Sequence, residues 1–238
     1  MRHRLESARV RTCLAGSVHF GTLPAEDLDR IASLCRVSAL KDGQPLYKAG
    51  GELDSFWIVL SGSLRISSTG DGDEFVYALL GVGSYFGLGH ILGRKKLSVG
   101  ASAYGATEVA EIDGARFIEL LDKSPGLWRH VAGLMADRLS LAMLAVRDIS
   151  SAPLQKRIVR RLLGQVSHGG HDPAAEARIE LRITQSDLAV MLGASRSKIN
   201  VELKRLENER LIEVGYRTVA LVDLAGLRTL AGTDVFAF

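Results

Sequence analysis

The spacing of apolar and polar positions changes twice along the chain. After Leu23-Pro24-Ala25-Glu26-Asp27, a helix start, Leu28, Ile31, Ala32 and Leu34/Cys35 fall on one side of a predicted helix. Residues 1–20 carry no firmer signal than a short helix. From Val37 to about Asp113 the texture becomes short apolar runs separated by glycine-bearing turns at Asp42-Gly43, Gly50-Gly51, Ser61-Gly62, Gly70–Asp73 and Gly81–Gly83. Turn signals about 8–12 residues apart predict an antiparallel sandwich or barrel. Phe56–Leu60, Val76–Leu80, Ser98–Ala103 and Glu108–Ile112 are its expected strands, and Gly114–Asp122 a short helix closing it.

Pro125 opens a long helical run that ends near Ser150. Trp128, Ala132, Met135, Leu139, Ala142, Val146 and Ile149 recur at alternating steps of four and three, an unbroken heptad seam. Leu127, Val131, Leu134 and Leu141 form a second apolar edge beside it. One edge is expected to pack on the β domain. The seam has no other obvious helix in the chain to receive it, so it is assigned to a second copy, the alternative being one broad buried face inside a monomer.

The remaining third reads as helix, loop, strand, two short helices and a strand-turn-strand. Pro153–Val166 places Leu154, Ile158 and Leu162 on one face and Lys156, Arg157, Arg160 and Arg161 on the other, a basic run read as a solvated face, with phosphate contact as the alternative. Ser167–Ala177 is a loop whose His168 and His171 are read as solvent-exposed, and Arg178–Ile183 a strand. Thr184 and Asp187 have the spacing of a helix cap, and Leu188 and Leu192 face inward. Gly193 reverses the chain, and Ser195 caps a second helix with Ile199, Leu203 and Leu206 at i, i+4 and i+7. That is a helix-turn-helix, whose second helix lies in a DNA major groove. At about 100° per residue, Ser197, Val201, Lys204 and Asn208 point away from Ile199, flanked by Lys198 and Asn200. Arg196, Ser197, Asn200 and Val201 are therefore candidates for base readout, with Lys198, Thr184 and Gln185 around them. Lys204 and Arg205 suit phosphates. Leu211–Val214, Gly215-Tyr216-Arg217 and Thr218–Val222 resemble the wing of a winged helix, with Arg217 at its tip as a phosphate contact.

Composition narrows this reading without changing it. The 238 residues are 47% hydrophobic and carry a net charge of only +3, so DNA binding must rest on a local patch. From Pro153 onward there are 13 Lys and Arg against 10 Asp and Glu, which places the whole excess in the last third. Cys13 and Cys35 belong to no Cys-x-x-Cys or Cys/His cluster, so a structural zinc or iron–sulfur site is not expected, and Cys35 is read as a buried small apolar residue. The charged N-terminus and the absence of an apolar stretch of membrane-spanning length predict a cytoplasmic protein with no membrane partner. No Ser/His/Asp set, phosphate loop or metal-spaced carboxylates point to an enzyme.

A β-roll, a long helix and a winged helix-turn-helix in this order resemble the Crp/Fnr superfamily, the cyclic AMP receptor protein and its relatives. The resemblance covers about residues 20–225 and is carried by GGELDSFWIVLSGSLRI, EVAEID and, most specifically, ITQSDLAVMLGASRSKINVELKRLENERLI. It implies an α+β fold: an N-terminal antiparallel β-roll of the cyclic-nucleotide-binding jelly-roll type, a long dimerisation helix and a C-terminal winged helix-turn-helix. The implied domains are residues 1–123, 124–152 and 153–238. It implies a homodimeric transcription regulator on palindromic double-stranded DNA, with RNA polymerase as a further partner.

The departures from the family pattern concern sensing. Cyclic-nucleotide-binding members follow Phe-Gly with Glu for the ribose and, some ten residues later, Arg for the cyclic phosphate. Here Leu88 follows Phe86-Gly87, and Leu97 or Ser98 stands at the arginine position. An apolar site without a counter-charge does not hold a phosphate; Arg94, Lys95 and Lys96 are read as a solvated hairpin tip. The tentative effector pocket is Phe86, Gly87, Leu88, His90, Leu97, Ser98 and Val99. His90 stands one residue off the haem pattern, and Cys13 alone does not make an iron–sulfur cluster. No cofactor is expected, neither cyclic nucleotide nor haem. The alternatives are a cyclic-nucleotide- or haem-responsive regulator with a changed pocket, and a reading head that binds protein. Arg196 matches a family arginine, whereas Ser197, Asn200 and Val201 differ from the common set, so the DNA target should differ too.

Overall fold

The computed structural model describes residues 2–70, 73–93, 96–168 and 178–232, with the side chains at 2–3, 70, 73, 144, 148–151 and 167–168 excepted. The chain forms two compact units, residues 1–68 with 77–141 and residues 69–76 with 142–238. The elements of the first half are α1 (Arg2–Ala15), α2 (Ala25–Leu34), β1 (Cys35–Leu40), β2 (Pro45–Tyr47), β3 (Ser55–Gly70), β4 (Asp73–Leu80), β5 (Tyr85–Phe86), α3 (Leu88–Gly93), β6 (Gly100–Asp113) and α4 (Gly114–Asp122). The second half comprises α5 (Pro125–Ser151), α6 (Leu154–His168), β7 (Ile179–Arg182), α7 (Gln185–Leu192), α8 (Arg196–Asn208), β8 (Ile212–Gly215), β9 (Thr218–Leu221) and α9 (Leu224–Ala231). This is the expected α+β arrangement of antiparallel sheet, long helix and helix-turn-helix.

The large sheet has the order β1-β6-β3-β4, with β2 also on β6 and β5 on β3. The apolar run from Phe56 has no polar alternation because β3 is buried on both faces there. Phe56 and Ile58 join a core with α1, α2, α4 and the start of α5, while Trp57 and Val59 point into the roll with Leu64, Ile66, Leu97 and Val109. Strand β6 divides the same way, Ala110 and Ile112 toward the helices and Val109 inward.

Several local expectations are corrected. Residues 1–20 contain a full helix, anchored by Val10 and Leu14 at 0% exposure and by an Arg9–Glu108 ion pair at 2.5 Å. Ser61-Gly62 is not a turn between strands but an irregularity inside β3, where the register against β6 shifts. Gly62 has φ +72°, and a Cβ there would stand 2.3 Å from the Ala106 carbonyl oxygen, so glycine lets the two strands bend together. For the same reason Ser98–Ala103 and Glu108–Ile112 are not separate strands: β6 runs unbroken from Gly100, leaving Ser98 outside it. The segment from Phe86 to Val99 is not a plain hairpin, because Leu88–Gly93 is helical. Arg94 and Lys95 lie outside the described residues, as does His171; the side chain of His168 does too.

Cys35 is 7% exposed, and burial pushes its thiol up to about 12, as the small-apolar reading requires. Burial also raises the Cys13 thiol, whose Sγ is 3.5 Å from the Val59 carbonyl oxygen. Among the described residues no helix is long and apolar enough to cross a membrane.

Along α5, Leu127, Val131 and Leu134 are buried in the helix-side core, so this part of the edge packs on the β domain, whereas Leu141 is only half-buried and outside that cluster. The adjoining seam is open: Trp128 is 37% exposed, Leu139 63% and Val146 66%, with Ala132 and Ala142 exposed as well. Met135 is the exception, half-buried against the core and beneath Gly89 of α3. Trp128 Nε1 donates to Asp122 at 3.2 Å. The side chain of Ile149 lies outside the described residues.

Candidate nucleic-acid interface and β-roll interior

The reading head is built by caps. Thr184 accepts from the Asp187 backbone N–H at 3.0 Å, while the Asp187 carboxylate accepts from the Thr184 backbone N–H at 3.1 Å, a complete capping box. The Thr184 hydroxyl also donates to Asp187 at 2.6 Å, so this side chain is committed to starting α7. Gly193 takes the left-handed conformation at φ +59°, and the Ser195 hydroxyl accepts from the Lys198 N–H at 3.3 Å to start α8. Ile199, Leu203 and Leu206 are 0% exposed and fix which face of α8 turns inward.

The opposite face carries Arg196, Ser197, Lys198, Val201, Lys204 and Arg205, all exposed. Arg205 is paired with Glu202 at 2.9 Å, so a phosphate contact from it would exchange one partner for another. Asn200 is half-buried and accepts from Gln185 Nε2 at 3.3 Å. Gln185 and Asn200, each chosen from the sequence singly, are one hydrogen-bonded pair.

The wing is the two-residue hairpin between β8 and β9, in the three-stranded sheet β7-β9-β8. Glu207 of α8 accepts from the Val214 N–H at 2.9 Å, tying the wing strand to the recognition helix. Arg217 sits at its tip with φ +60°. Beside it Tyr216 is 92% exposed, an outward aromatic that hydrophobic periodicity could not single out. The adjacency of Gly215 and Thr218 to a two-residue turn was the available signal.

The basic run on α6 is not a solvated face. Arg157 donates to the Leu192 carbonyl at the end of α7, and Arg160 to the Ala231 carbonyl at the end of α9, 3.0 Å away. Both satisfy helix C-termini. Burial lowers the Arg161 pKa. Helix α9 adds an element beyond the expected wing; Asp223 caps it, and Leu227 and Ala231 are buried.

The seven tentative pocket residues do not share one lining. Phe86 and Leu97 enter the roll interior with Val99 packed against them, whereas Leu88, at 0% exposure, belongs to the helix-side core. Gly87, at φ +93°, makes the reversal between them. Ser98 is exposed, and His90 is half-buried on α3, its pKa lowered by burial and then by Arg138. The interior holds an aromatic cluster, with Trp57 and Phe86 stacked at 6.1 Å and Tyr47 6.0 Å from Phe86. Among the described residues the fully buried polar or charged side chains are Ser17, Ser84, Thr107, Ser124 and Asp187, none of them a cation, while Arg161 is only partly buried.

Comparison with known proteins agrees with both halves of this picture. Residues 37–124 match the cyclic nucleotide-binding domain family, and residues 156–230 match the Crp-like helix-turn-helix domain. The chain is 30% identical over 209 residues to the HTH-type transcriptional regulator Cmr of Mycobacterium tuberculosis, covering 88% of this chain and 82% of that protein. It is 25% identical over 207 residues to the cAMP-activated global transcriptional regulator CRP of Pasteurella multocida, covering 84% and 97%. Among solved structures, the c-di-GMP-responsive global regulator CLP of Xanthomonas campestris shares the fold at a TM-score of 0.63 and 22% identity, over 84% of this chain and all of that one.

Proposed function

We propose that this chain, which belongs to the Crp/Fnr superfamily of transcription regulators, works in the cytoplasm as a homodimer on a palindromic DNA site and does not take cyclic AMP in the usual way. The observation that carries the dimer is the division of α5 into two apolar edges. Leu127, Val131 and Leu134 are consumed by the core of their own chain, while Leu139 and Val146 remain 63% and 66% exposed at heptad spacing. A second copy of α5 is the partner of matching periodicity. Two reading heads related by a two-fold axis then address half-sites about one helical turn apart. RNA polymerase is the further partner in this reading.

The effector reading rests on charge. A cyclic phosphate needs a guanidinium or ammonium inside the roll. The positions expected to supply the sugar and phosphate contacts carry Leu88, turned into the helix-side core, and Leu97 or Ser98. Calorimetry with cyclic AMP and cyclic GMP is expected to show no binding in the micromolar range; such binding would reject the pocket argument.

Selection of binding sites from random DNA tests the rest. A palindromic consensus, bound with an affinity that falls steeply with salt, is expected because phosphate contacts release counterions. No preference over random sequence would reject DNA reading by α8 and favour a protein-binding head.

A further inference from the structure

The turn between α7 and α8 brings two side-chain amides together at the edge of the outward face. Gln185 is the first residue of α7, and Asn200 lies one turn into α8, between fully buried Ile199 and exposed Val201. Both are half-buried, and Gln185 Nε2 donates to Asn200 Oδ1 at 3.3 Å. Resting on the reading that this face enters a major groove, we infer that Gln185 is a positioning residue that fixes the Asn200 amide, so that Asn200 reads its base as a hydrogen-bond donor.

An asparagine amide has a donating and an accepting end, and rotation about its last torsion exchanges them. An unrestrained asparagine at a groove therefore adapts to either kind of base edge. Here Gln185 Nε2 engages the oxygen, which leaves the NH2 group for DNA. Gln185 carries both a donor and an acceptor, so turning both amides together exchanges the ends, and Gln185→Glu locks that second arrangement. In the major groove, guanine offers N7 and O6, adenine N7 and thymine O4 as acceptors, while cytosine offers only the N4 donor. In the arrangement with the oxygen on Gln185, the amide favours an acceptor-bearing edge over cytosine at one position of each half-site. It also weakens the two-bond pairing of asparagine with adenine, which requires the same oxygen.

The pairing makes a prediction that a merely structural role for Gln185 does not. A glutamate at 185 cannot donate. It accepts instead from Asn200 Nδ2 and turns the Asn200 oxygen toward the groove, so the favoured base should move toward cytosine or adenine, whose amino groups donate.

Operator selection followed by sequencing, on the full-length wild type, Asn200→Ala, Gln185→Ala and Gln185→Glu, tests this. Asn200→Ala is expected to reduce discrimination at one base pair per half-site by roughly tenfold. Gln185→Ala should relax that same base pair and no other, and the double variant should be no worse there than Asn200→Ala alone, because the two act as one unit. Gln185→Glu should shift the preference instead of erasing it. A negative charge suits the first turn of a helix, so this variant keeps the test open if Gln185→Ala melts without cooperativity. A Gln185 variant that selects the wild-type base at every position overturns the inference while leaving DNA reading intact. A wild type that enriches no sequence overturns both.

Discussion

The guanidinium of Arg138 lies over the Tyr85 ring, 4.2 Å from its centroid, and donates to the Tyr85 carbonyl oxygen at 2.7 Å. One side chain of α5 thus holds both the ring and the backbone of β5, immediately before Phe86 turns into the roll. The Tyr85 hydroxyl is 3.5 Å from the Leu134 carbonyl oxygen, and the His19 ring meets the Tyr85 ring edge-on at 5.2 Å. Arg138→Ala removes the cation from the ring and the charged donor from the carbonyl, with an expected loss of about 2 kcal/mol. Arg138→Lys should recover only part of it, since an ammonium lacks the planar fork that serves ring and carbonyl together. Urea melts of the three proteins measure this; equal midpoints would show the contact to be energetically idle.

His90 lies near the same arginine, and its titration gives a pH dependence of definite sign. Burial and the Arg138 charge both lower its pKa in the folded chain, whereas the unfolded chain takes up a proton near the ordinary value of about 6.5. The unfolded state therefore binds more protons over the window between the two values, and stability there rises with pH. Its full contribution is present above about pH 6.5 and is lost as pH falls toward the folded value. Wild type should lose more stability than His90→Gln between pH 8 and pH 5.5; parallel losses would place the acid sensitivity elsewhere.

Leu139→Glu is the cleaner test of the dimer seam. Met135 is half-buried against its own core, so a charge there would damage the fold as well as any interface. Leu139 is 63% exposed and outside both core clusters, so a glutamate there should cost its own chain little. The variant is expected to melt as a folded protein and to scatter light as a 25.7 kDa monomer, against twice that mass for wild type. A variant that remains dimeric would move the interface off this face of α5.

How far the sequence could be read depends on how local each signal is. The caps at Thr184 and Ser195 and the glycine at 193 act within a few residues of themselves, and all three stand where spacing put them. The long strands were harder. Gly62 looks like a turn in sequence, and only its closeness to Ala106, 44 residues away in the chain, makes it a bend within paired strands. Leu88 could be recognised as a departure from a motif, but not as a side chain facing a different core from Phe86. Arg157 and Arg160 read as a solvated stripe because their partners are carbonyls of distant helix ends, and backbone acceptors leave no mark in a sequence.

That correction is itself testable. Arg157→Ala leaves the Leu192 carbonyl without its donor and should cost about 1–2 kcal/mol. It should leave the slope of log K against log salt for DNA binding unchanged. A phosphate-contacting arginine would show the reverse, a slope smaller by about one and little change in melting.

Arg217 at the wing tip should behave in that second way, with a further twist from its backbone. Its φ of +60° lies in the left-handed region, which costs a side-chain-bearing residue about 1 kcal/mol or more and glycine almost nothing. Arg217→Ala removes the charge and keeps the strain. Arg217→Gly removes both. Both variants should bind DNA more weakly across all sequences and lower the salt slope by about one. Their stabilities should part: Arg217→Gly should melt above Arg217→Ala by about 1 kcal/mol, because glycine takes the turn conformation freely. The pair therefore separates the two roles of this position. Unchanged salt slopes would remove Arg217 from the interface, and equal melting of the two variants would mean that the hairpin re-forms around a different turn when the arginine is lost.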